Sequence, residues 1–348
     1  MLSRFLTSNV DFAIDLGTAN PLIGSPGHGV RLNGPSVVAV DTDTRRALSG
    51  RCAVGHLARQ MQGRTPESIT VVQPLKHGVV ADFEACEAML RYFLFKLRPR
   101  RFARRPRLLV GVPGSITPVE KRALYTSALR AGASQVMLVP GAKAAAIGAG
   151  LPVSEPLANL ICDVGSGTTE VAVMTLGNIA ASRSVRTGGD AMDQAIVDYL
   201  RHHYSLAIGS AAAEQLKLEI GSAWPLEEEQ TAEVRGVDTA AGLPRKATVS
   251  SEEIRQALLE PLEQIVDAIR TTVDDCSAEL AADLVDQGLA LAGGAAQLRG
   301  LDHYLADRTG LPTRVVTEPG QAVISGALRC LQNLPRWRNN LESSDDET

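Results

Sequence analysis

Apolar runs of strand length alternate with segments of helical period along the chain, which predicts an α/β fold. Leu108-Leu109-Val110-Gly111-Val112 reads as a buried strand. Thr117-Pro118-Val119-Glu120 follows it, a capping box with proline at the first helical position, and predicts a helix start. Ser250-Ser251-Glu252-Glu253 opens another helix, with Ile254, Leu258, Leu262, Ile265, Ile269 and Val273 on one face and a bend expected at Pro261. Gly188-Gly189-Asp190 precedes a third, which carries Met192, Ile196 and Leu200 at a spacing of four.

One internal repeat organises the rest. Phe12-Ala13-Ile14-Asp15-Leu16-Gly17-Thr18-Ala19-Asn20 and Leu160-Ile161-Cys162-Asp163-Val164-Gly165-Ser166-Gly167-Thr168-Thr169 share a plan. Each is an apolar strand ending in aspartate, then one apolar residue, a glycine and small polar residues, before the chain returns into an apolar stretch. That predicts a β-hairpin whose tip presents backbone N–H groups. Such a tip makes a nest for phosphate oxygens, and an aspartate just before the turn suits a hydrated Mg²⁺. A single copy reads equally well as an ordinary tight turn. A matched pair half a chain apart points instead to two related domains that clamp a polyphosphate.

A third glycine-rich stretch runs from Gly288 to Leu298 and reads as a short strand, a turn at Gly293-Gly294-Ala295-Ala296 and a following helix from Leu298 to Leu305. Backbone at such a turn can approach a flat base or ribose closely. Coming after two phosphate hairpins, in this order, it points to adenosine.

Bulk properties limit the alternatives. A chain of 348 residues exceeds the usual single core, so two domains are expected. A net charge of −4 gives no argument for nucleic acid as a partner. Five scattered cysteines without CxxC spacing fit reduced thiols in cytoplasm rather than a disulfide framework or zinc site. No apolar run is long enough to cross a bilayer, and the first residues lack the apolar core of a secretory signal. The tail over 336–348 is acidic and is expected to be disordered.

The order of these sites resembles the actin/Hsp70/sugar-kinase superfamily. The stretches IDLGTANPLIG, DVGSGTTEVAV, GGDAMDQAIVDYLR, LKLEIGSAWPLEEE and RGLDHYLADRTGLP are similar to those of the bacterial MreB family of actin-like cell-shape proteins, with the likeness running from about residue 10 to 330. The resemblance implies an actin-like (ribonuclease H-like) two-domain α/β fold with a nucleotide cleft, each domain split into a large and a small subdomain. Domain I would cover 1–150, with a small subdomain near 33–75 and a C-terminal return over 320–335. Domain II would cover 151–319, with a small subdomain near 183–247.

The resemblance further implies that ATP or ADP binds with Mg²⁺. Asp15, Gly17, Thr18, Ala19 and Asn20 would form the first phosphate loop, with Asp15 meeting the metal through water. Asp163, Gly165, Ser166, Gly167, Thr168 and Thr169 would form the second. Gly293, Gly294, Ala295 and Ala296 would line the adenosine, and Glu214 and Lys217 would reach its ribose or base. Without the family, Glu214 and Lys217 read as a solvated pair on a helix face.

Departures from the family pattern cluster at the nucleotide. Two glutamates are expected before the helix AAAIGAG, one of which orients the attacking water; Pro140 and Gly141 stand there instead. A lost general base typically costs about 10²–10⁴ in rate. Slow or absent hydrolysis is therefore expected, unless Thr168 or a carboxylate from elsewhere positions the water. Pro21 removes a hydroxyl and an N–H from the first loop, Gly34 replaces an acidic residue and His77 an aspartate. Ser166 and Ala295 replace glycines and would be strained if either needs positive φ.

The segment RPRRFARRPR sets Arg98, Arg100, Arg101, Arg104, Arg105 and Arg107 around Phe102. In the family this neighbourhood faces the membrane, and arginines attract anionic headgroups at about 1 kcal/mol each. The N-terminal Leu2, Arg4, Phe5 and Leu6 would form a short second anchor. The implied protein is a peripheral, filament-forming organiser of cell-wall synthesis that partners itself, a paralogue and the wall-elongation proteins. A non-polymerising regulator of a standard filament is the nearest alternative. A small-molecule kinase of the same superfamily is the more distant one, and no catalytic aspartate for it is evident.

Overall fold

The computed structural model describes residues 11–48, 54–97, 105–337 and 341–344. The chain forms two compact units, Met1–Leu151 with Gln321–Thr348, and Pro152–Gly320.

The first unit begins with an antiparallel meander of β1 (Asp11–Asp15), β2 (Leu22–Ser25) and β3 (Gly29–Asn33). A small lobe follows, built from β4 (Val38–Asp41), the short helix α1 (His56–Met61) and β5 (Ile69–Val72) around buried Val37, Ala39 and Ala58. The hairpin of β6 (Leu75–Lys76) and β7 (Val79–Val80) leads into α2 (Phe83–Leu97). Next come β8 (Arg107–Val112), α3 (Pro118–Ala131), β9 (Gln135–Pro140) and α4 (Gly141–Ala149). The capping box at Thr117 is made in full: its hydroxyl accepts from Glu120 N, and the Glu120 carboxylate accepts from Thr117 N.

The second unit repeats the plan. Its meander is β10 (Asn159–Val164), β11 (Thr169–Thr175) and β12 (Asn178–Val185). After α5 (Gly189–Tyr204), a separate small sheet forms from β13 (Leu206–Ala207), β14 (Thr231–Asp238) and β15 (Pro244–Ser250), with α6 (Ser210–Ile220) between its first two strands. Helix α7 (Ser251–Asp274) opens on the Ser250–Glu253 capping box, buries Ile254, Leu258, Leu262, Ile265 and Ile269, and continues through Pro261. Then come α8 (Ala278–Gln287), β16 (Leu289–Ala292), α9 (Leu301–Thr309) and β17 (Thr313–Val315). A single 3₁₀ turn, Gly294–Gln297, follows β16, where the sequence suggested that a helix starts at Leu298.

The chain then returns to the first unit through α10 (Ala322–Gln332), α11 (Leu334–Trp337) and β18 (Glu342–Ser343). The main sheets are ordered β18-β9-β8-β1-β2-β3 and β17-β16-β10-β11-β12. Apart from β18 they match strand for strand, including the parallel pairing of β1 with β8 and of β10 with β16.

Helices α4 and α10 cross at glycines. A Cβ on Gly326 would lie 1.8 Å from the Ala144 carbonyl oxygen, and one on Gly148 would lie 1.9 Å from that of Ala322. Arg329 closes the contact from its side, donating from Nη1 to the Ile147 carbonyl at 2.6 Å.

Two expectations change here. The acidic tail is not structureless throughout: Glu342 and Ser343 pair antiparallel with Leu138 and Met137. Composition cannot register this, because the open edge of β9 supplies the partners. In the basic segment, Arg98, Arg100, Arg101, Phe102 and Arg104 lie outside the described residues, as do Leu2, Arg4, Phe5 and Leu6. Arg105 is exposed. Arg107 instead makes a bidentate pair with Asp11, at 2.9 and 2.7 Å, so its charge serves the β1–β8 ladder.

Candidate functional site

Both hairpins place their aspartate at the same register. Asp15 is opposite Leu22, and Asp163 is opposite Glu170, pairs equally separated along the chain, although the second hairpin pairs one step further, Val164 with Thr169. Both tips also close in the same way. A Cβ on Gly17 would lie 2.8 Å from the Asn20 carbonyl oxygen, and one on Gly165 would lie 3.1 Å from that of Thr168. Glycine at these positions lets the backbone fold tightly enough to gather its amides at the tip.

In the first unit, the loop is fastened to its surroundings. The buried Thr18 hydroxyl accepts from Gly78 N at 2.9 Å, in the turn between β6 and β7. The Ala19 carbonyl accepts from Ser36 N at 2.8 Å. Pro21 precedes β2 and so takes no N–H from the ladder. Helix α4 starts at Gly141 with Pro140 as its N-cap, has no side-chain cap and has no acid in its first turn. The structure therefore puts no carboxylate at the position where the sequence pattern leads one to expect it.

Burial pushes the Asp15 carboxyl up to about 7. A folded-state value above the unfolded one means that ionising Asp15 opposes folding, increasingly as pH rises from about 4 to 7 and constantly above that. Asp15→Asn is thus expected to raise the melting temperature of the nucleotide-free protein at pH 8 by about 3–8 °C, with the gain shrinking towards pH 5. Thermal unfolding at the two pH values checks this; a variant less stable at pH 8 would overturn it.

In the second unit, the loop is pinned by the start of α5. Gly189 N donates to the Gly165 carbonyl at 3.0 Å, and Asp190 N to that of Ser166 at 2.8 Å. A Cβ on Gly188 would fall 2.5 Å from the Gly165 oxygen. Thr169 is buried and donates to the Thr187 carbonyl at 2.7 Å. The half-exposed Thr168 hydroxyl makes no hydrogen bond to a described residue and is free for a ligand or water.

The turn after β16 comes directly against this loop. Gly293 has φ 91°, and a Cβ there would lie 2.2 Å from the Val164 carbonyl oxygen. Gly294 faces open space and Ala296 is buried. Ser166 and Ala295 both have ordinary φ, so neither replacement of glycine is strained; the left-handed position is Gly293, which is retained.

Lys217 joins the same cluster. Its Nζ donates to the Gly189 carbonyl at 2.9 Å and pairs with Asp193 at 2.7 Å. A Cβ on Gly189 would meet Lys217 Nζ at 3.3 Å, Ser166 Cα at 3.5 Å and Ala295 Cβ at 3.9 Å. The second hairpin loop, the turn after β16 and α6 thus converge within one unit. The solvated-pair reading of Glu214 and Lys217 does not hold: Lys217 is largely buried, and Glu214 is half-buried. Asp193, which the sequence reading missed, balances the lysine. Burial raises its carboxyl, Lys217 lowers it, and Glu214 and Asp190 raise it further. The available signal was an acid placed between Met192 and Ile196 on the buried side of α5.

Duplicated sheets, each with an aspartate-ended glycine hairpin, agree with the fold that the resemblance to actin-like proteins implies. The profile of the MreB/Mbl protein family matches residues 9–339. The chain belongs to the MreB/Mbl family. Among its relatives, the cell shape-determining protein MreB of Escherichia coli K12 is 46% identical over 348 residues, covering 99% of this chain and 100% of that protein. The cell shape-determining protein Mbl of Bacillus cereus is 43% identical over 326 residues, 94% of this chain and 97% of that one. Among solved structures, MreB5 of Spiroplasma citri bound to ADP superposes with a TM-score of 0.89 at 34% identity, covering 96% of this MreB/Mbl chain and 99% of its own. The AMPPNP-bound form of MreB5 matches equally well. A MamK double helical filament matches with a TM-score of 0.78 at 20% identity, a likeness of fold alone.

Proposed function

We propose that this MreB/Mbl chain is an ATP- or ADP-binding filament subunit that acts at the inner face of the membrane, where it organises cell-wall elongation and so cell shape. The observation that carries the nucleotide reading is the pair of hairpins with aspartates at one register, each tip closed by a glycine. The nucleotide-bound MreB5 structures support it.

The residues present suit Mg²⁺-nucleotide. Gly17, Gly165 and Gly293 keep backbone close-packed where a Cβ would intrude, a shape that suits phosphate oxygens at the tips and a flat adenosine at the turn. Among the described residues, no group of three or more acidic, histidine or cysteine side chains is placed to hold a metal unaided. That is the ordinary situation for Mg²⁺, which takes one or two carboxylates and completes its shell with phosphate and water. Asp15 is the carboxylate proposed to meet that hydrated ion, and the metal supplies charge neutralisation to the phosphates when bound. Asp193 holds Lys217 at the ribose side, next to Glu214. Hydrolysis is proposed to be slow, because α4 opens without a carboxylate.

Membrane attachment is proposed through the basic segment around Phe102. Two features flank it within the described residues: the exposed Arg105, and Phe95, which is 68% exposed on the last turns of α2. Self-association, alone or with a paralogue, and contact with wall-elongation proteins complete the proposal.

Electron microscopy of the purified protein on anionic vesicles, with ATP and with ADP, tests the whole reading. Filaments that lie on the vesicles with ATP are expected. Single particles in both nucleotides, with normal nucleotide binding, would sink the filament claim and favour a non-polymerising regulator.

A further inference from the structure

A loop that cradles phosphate works only if its shape is held before the ligand arrives. In the second hairpin both ends of the loop are held at one place, around Thr187. At the far end, the buried Thr169 hydroxyl donates to the Thr187 carbonyl at 2.7 Å. At the near end, the two residues after Thr187 press on the loop. A Cβ on Gly188 would lie 2.5 Å from the Gly165 carbonyl oxygen, and Gly189 N donates to that same oxygen at 3.0 Å.

What holds Thr187 comes from outside this cluster. Its hydroxyl donates at 2.5 Å to Gln264 Oε1 on α7, 77 residues later in the chain. Thr187 is 5% exposed, so a hydroxyl deprived of that acceptor is not readily satisfied by water. The bond fixes the branched side chain and, through it, the backbone alongside. Gln264 itself is exposed, and Thr187 is its one hydrogen-bond partner among the described residues. It adds little to the packing of α7, which Leu262, Ile265 and Val266 supply. Glu263 beside it binds Tyr304 and Arg308 on α9 instead.

We propose that Gln264 is a positioning residue for the second phosphate loop. It sets Thr187, which in turn presents its carbonyl to Thr169 and carries Gly188 and Gly189 against Gly165. With the acceptor gone, the loop samples more arrangements, and ordering it on binding weakens affinity. Its effect on ligand affinity rests on the nucleotide reading proposed above; the geometry does not.

Two measurements test it. Amide hydrogen exchange on the nucleotide-free protein reads the loop directly. Gln264→Ala is expected to speed exchange over residues 165–169 and 188–190 and to leave the rest of α7 at the parent rate. Its melting temperature should stay within about 2 °C of the parent, as for an exposed side chain. Titration with a fluorescent ATP analogue and Mg²⁺ reads the consequence. Gln264→Ala and Thr187→Val are each expected to raise Kd about three- to tenfold, the range of one hydrogen bond. The double variant should lose no more than the larger single loss, because both remove the same link. Thr187→Ser keeps the hydroxyl and should bind as the parent does. Parent exchange rates across the loop in Gln264→Ala would overturn the proposal. So would a double variant whose loss is the product of the two singles, or faster exchange without weaker binding when the parent binds. If the parent binds no nucleotide, the nucleotide reading fails by itself and the exchange rates decide the positioning role. If Thr187→Val does not fold, Gln264→Ala decides, since its site is exposed.

Discussion

Placing a glutamate at Pro140 or at Gly141 is expected to raise the rate of phosphate release by about 10²–10⁴ at one of the two positions, with little change in nucleotide affinity. The reasoning starts from α4. Its first turn carries no acid, and its N-cap Pro140 makes no side-chain cap hydrogen bond, so no carboxylate stands at the start of the helix. A carboxylate there supplies a proton acceptor and also sits favourably at a helix N-terminus. Pro140 is half-exposed and admits the larger side chain more easily than buried Gly141. Single-turnover phosphate release, with affinity measured separately by a fluorescent nucleotide, separates the rate effect from binding. Equal slow rates in the parent and both variants would show that the missing acid is not what limits hydrolysis.

The second large effect concerns stability. Gly326→Val is expected to destabilise the first unit by about 3–5 kcal/mol, and Gly148→Val by a similar amount. Each new side chain would meet a backbone carbonyl, at 1.8 and 1.9 Å from its Cβ, on the facing helix. Backbone cannot move aside as a flexible side chain can, so α4 and α10 must separate, and the Arg329 bond to Ile147 is strained with them. Gly114→Ala is the control: its Cβ meets nothing within 4 Å, and its φ is not left-handed. Thermal unfolding should show a fall of about 10 °C for the valine variants and almost none for the control. A valine variant as stable as the control would mean that the helices are not packed as described.

Local features of the sequence carried much of this architecture. The capping boxes at Thr117 and Ser250 are complete within four residues each, so both helix starts are readable without any knowledge of the rest. The hairpins are readable for the same reason, since aspartate, glycine and small polar residues specify a turn and its chemistry together. What could not be read depends on residues far apart. Thr18 and Gly78, Lys121 and Glu342, Gly148 and Ala322 meet only because the fold brings them together. Asp193 was hidden differently: its partner Lys217 lies on another helix, and a buried acid on an apolar face looks like an exception until that partner is seen. The suspected strain at Ser166 and Ala295 shows the limit of reasoning by substitution, because a glycine in a pattern does not reveal whether its φ is positive.

The glycine crossing of α4 and α10 also sets an order of events during synthesis. Residues 152–320 are contiguous, so the second unit has its entire sequence before α10 exists. The first unit, begun earlier, lacks the helix that packs on Gly148 until the chain has been made past Gly326. Its sheet therefore waits, with α4 uncovered, while the later half of the chain is completed. The half translated first is the half finished last, and a ribosome stalled between residues 152 and 320 would hold a nascent chain with an exposed α4 for chaperones to find.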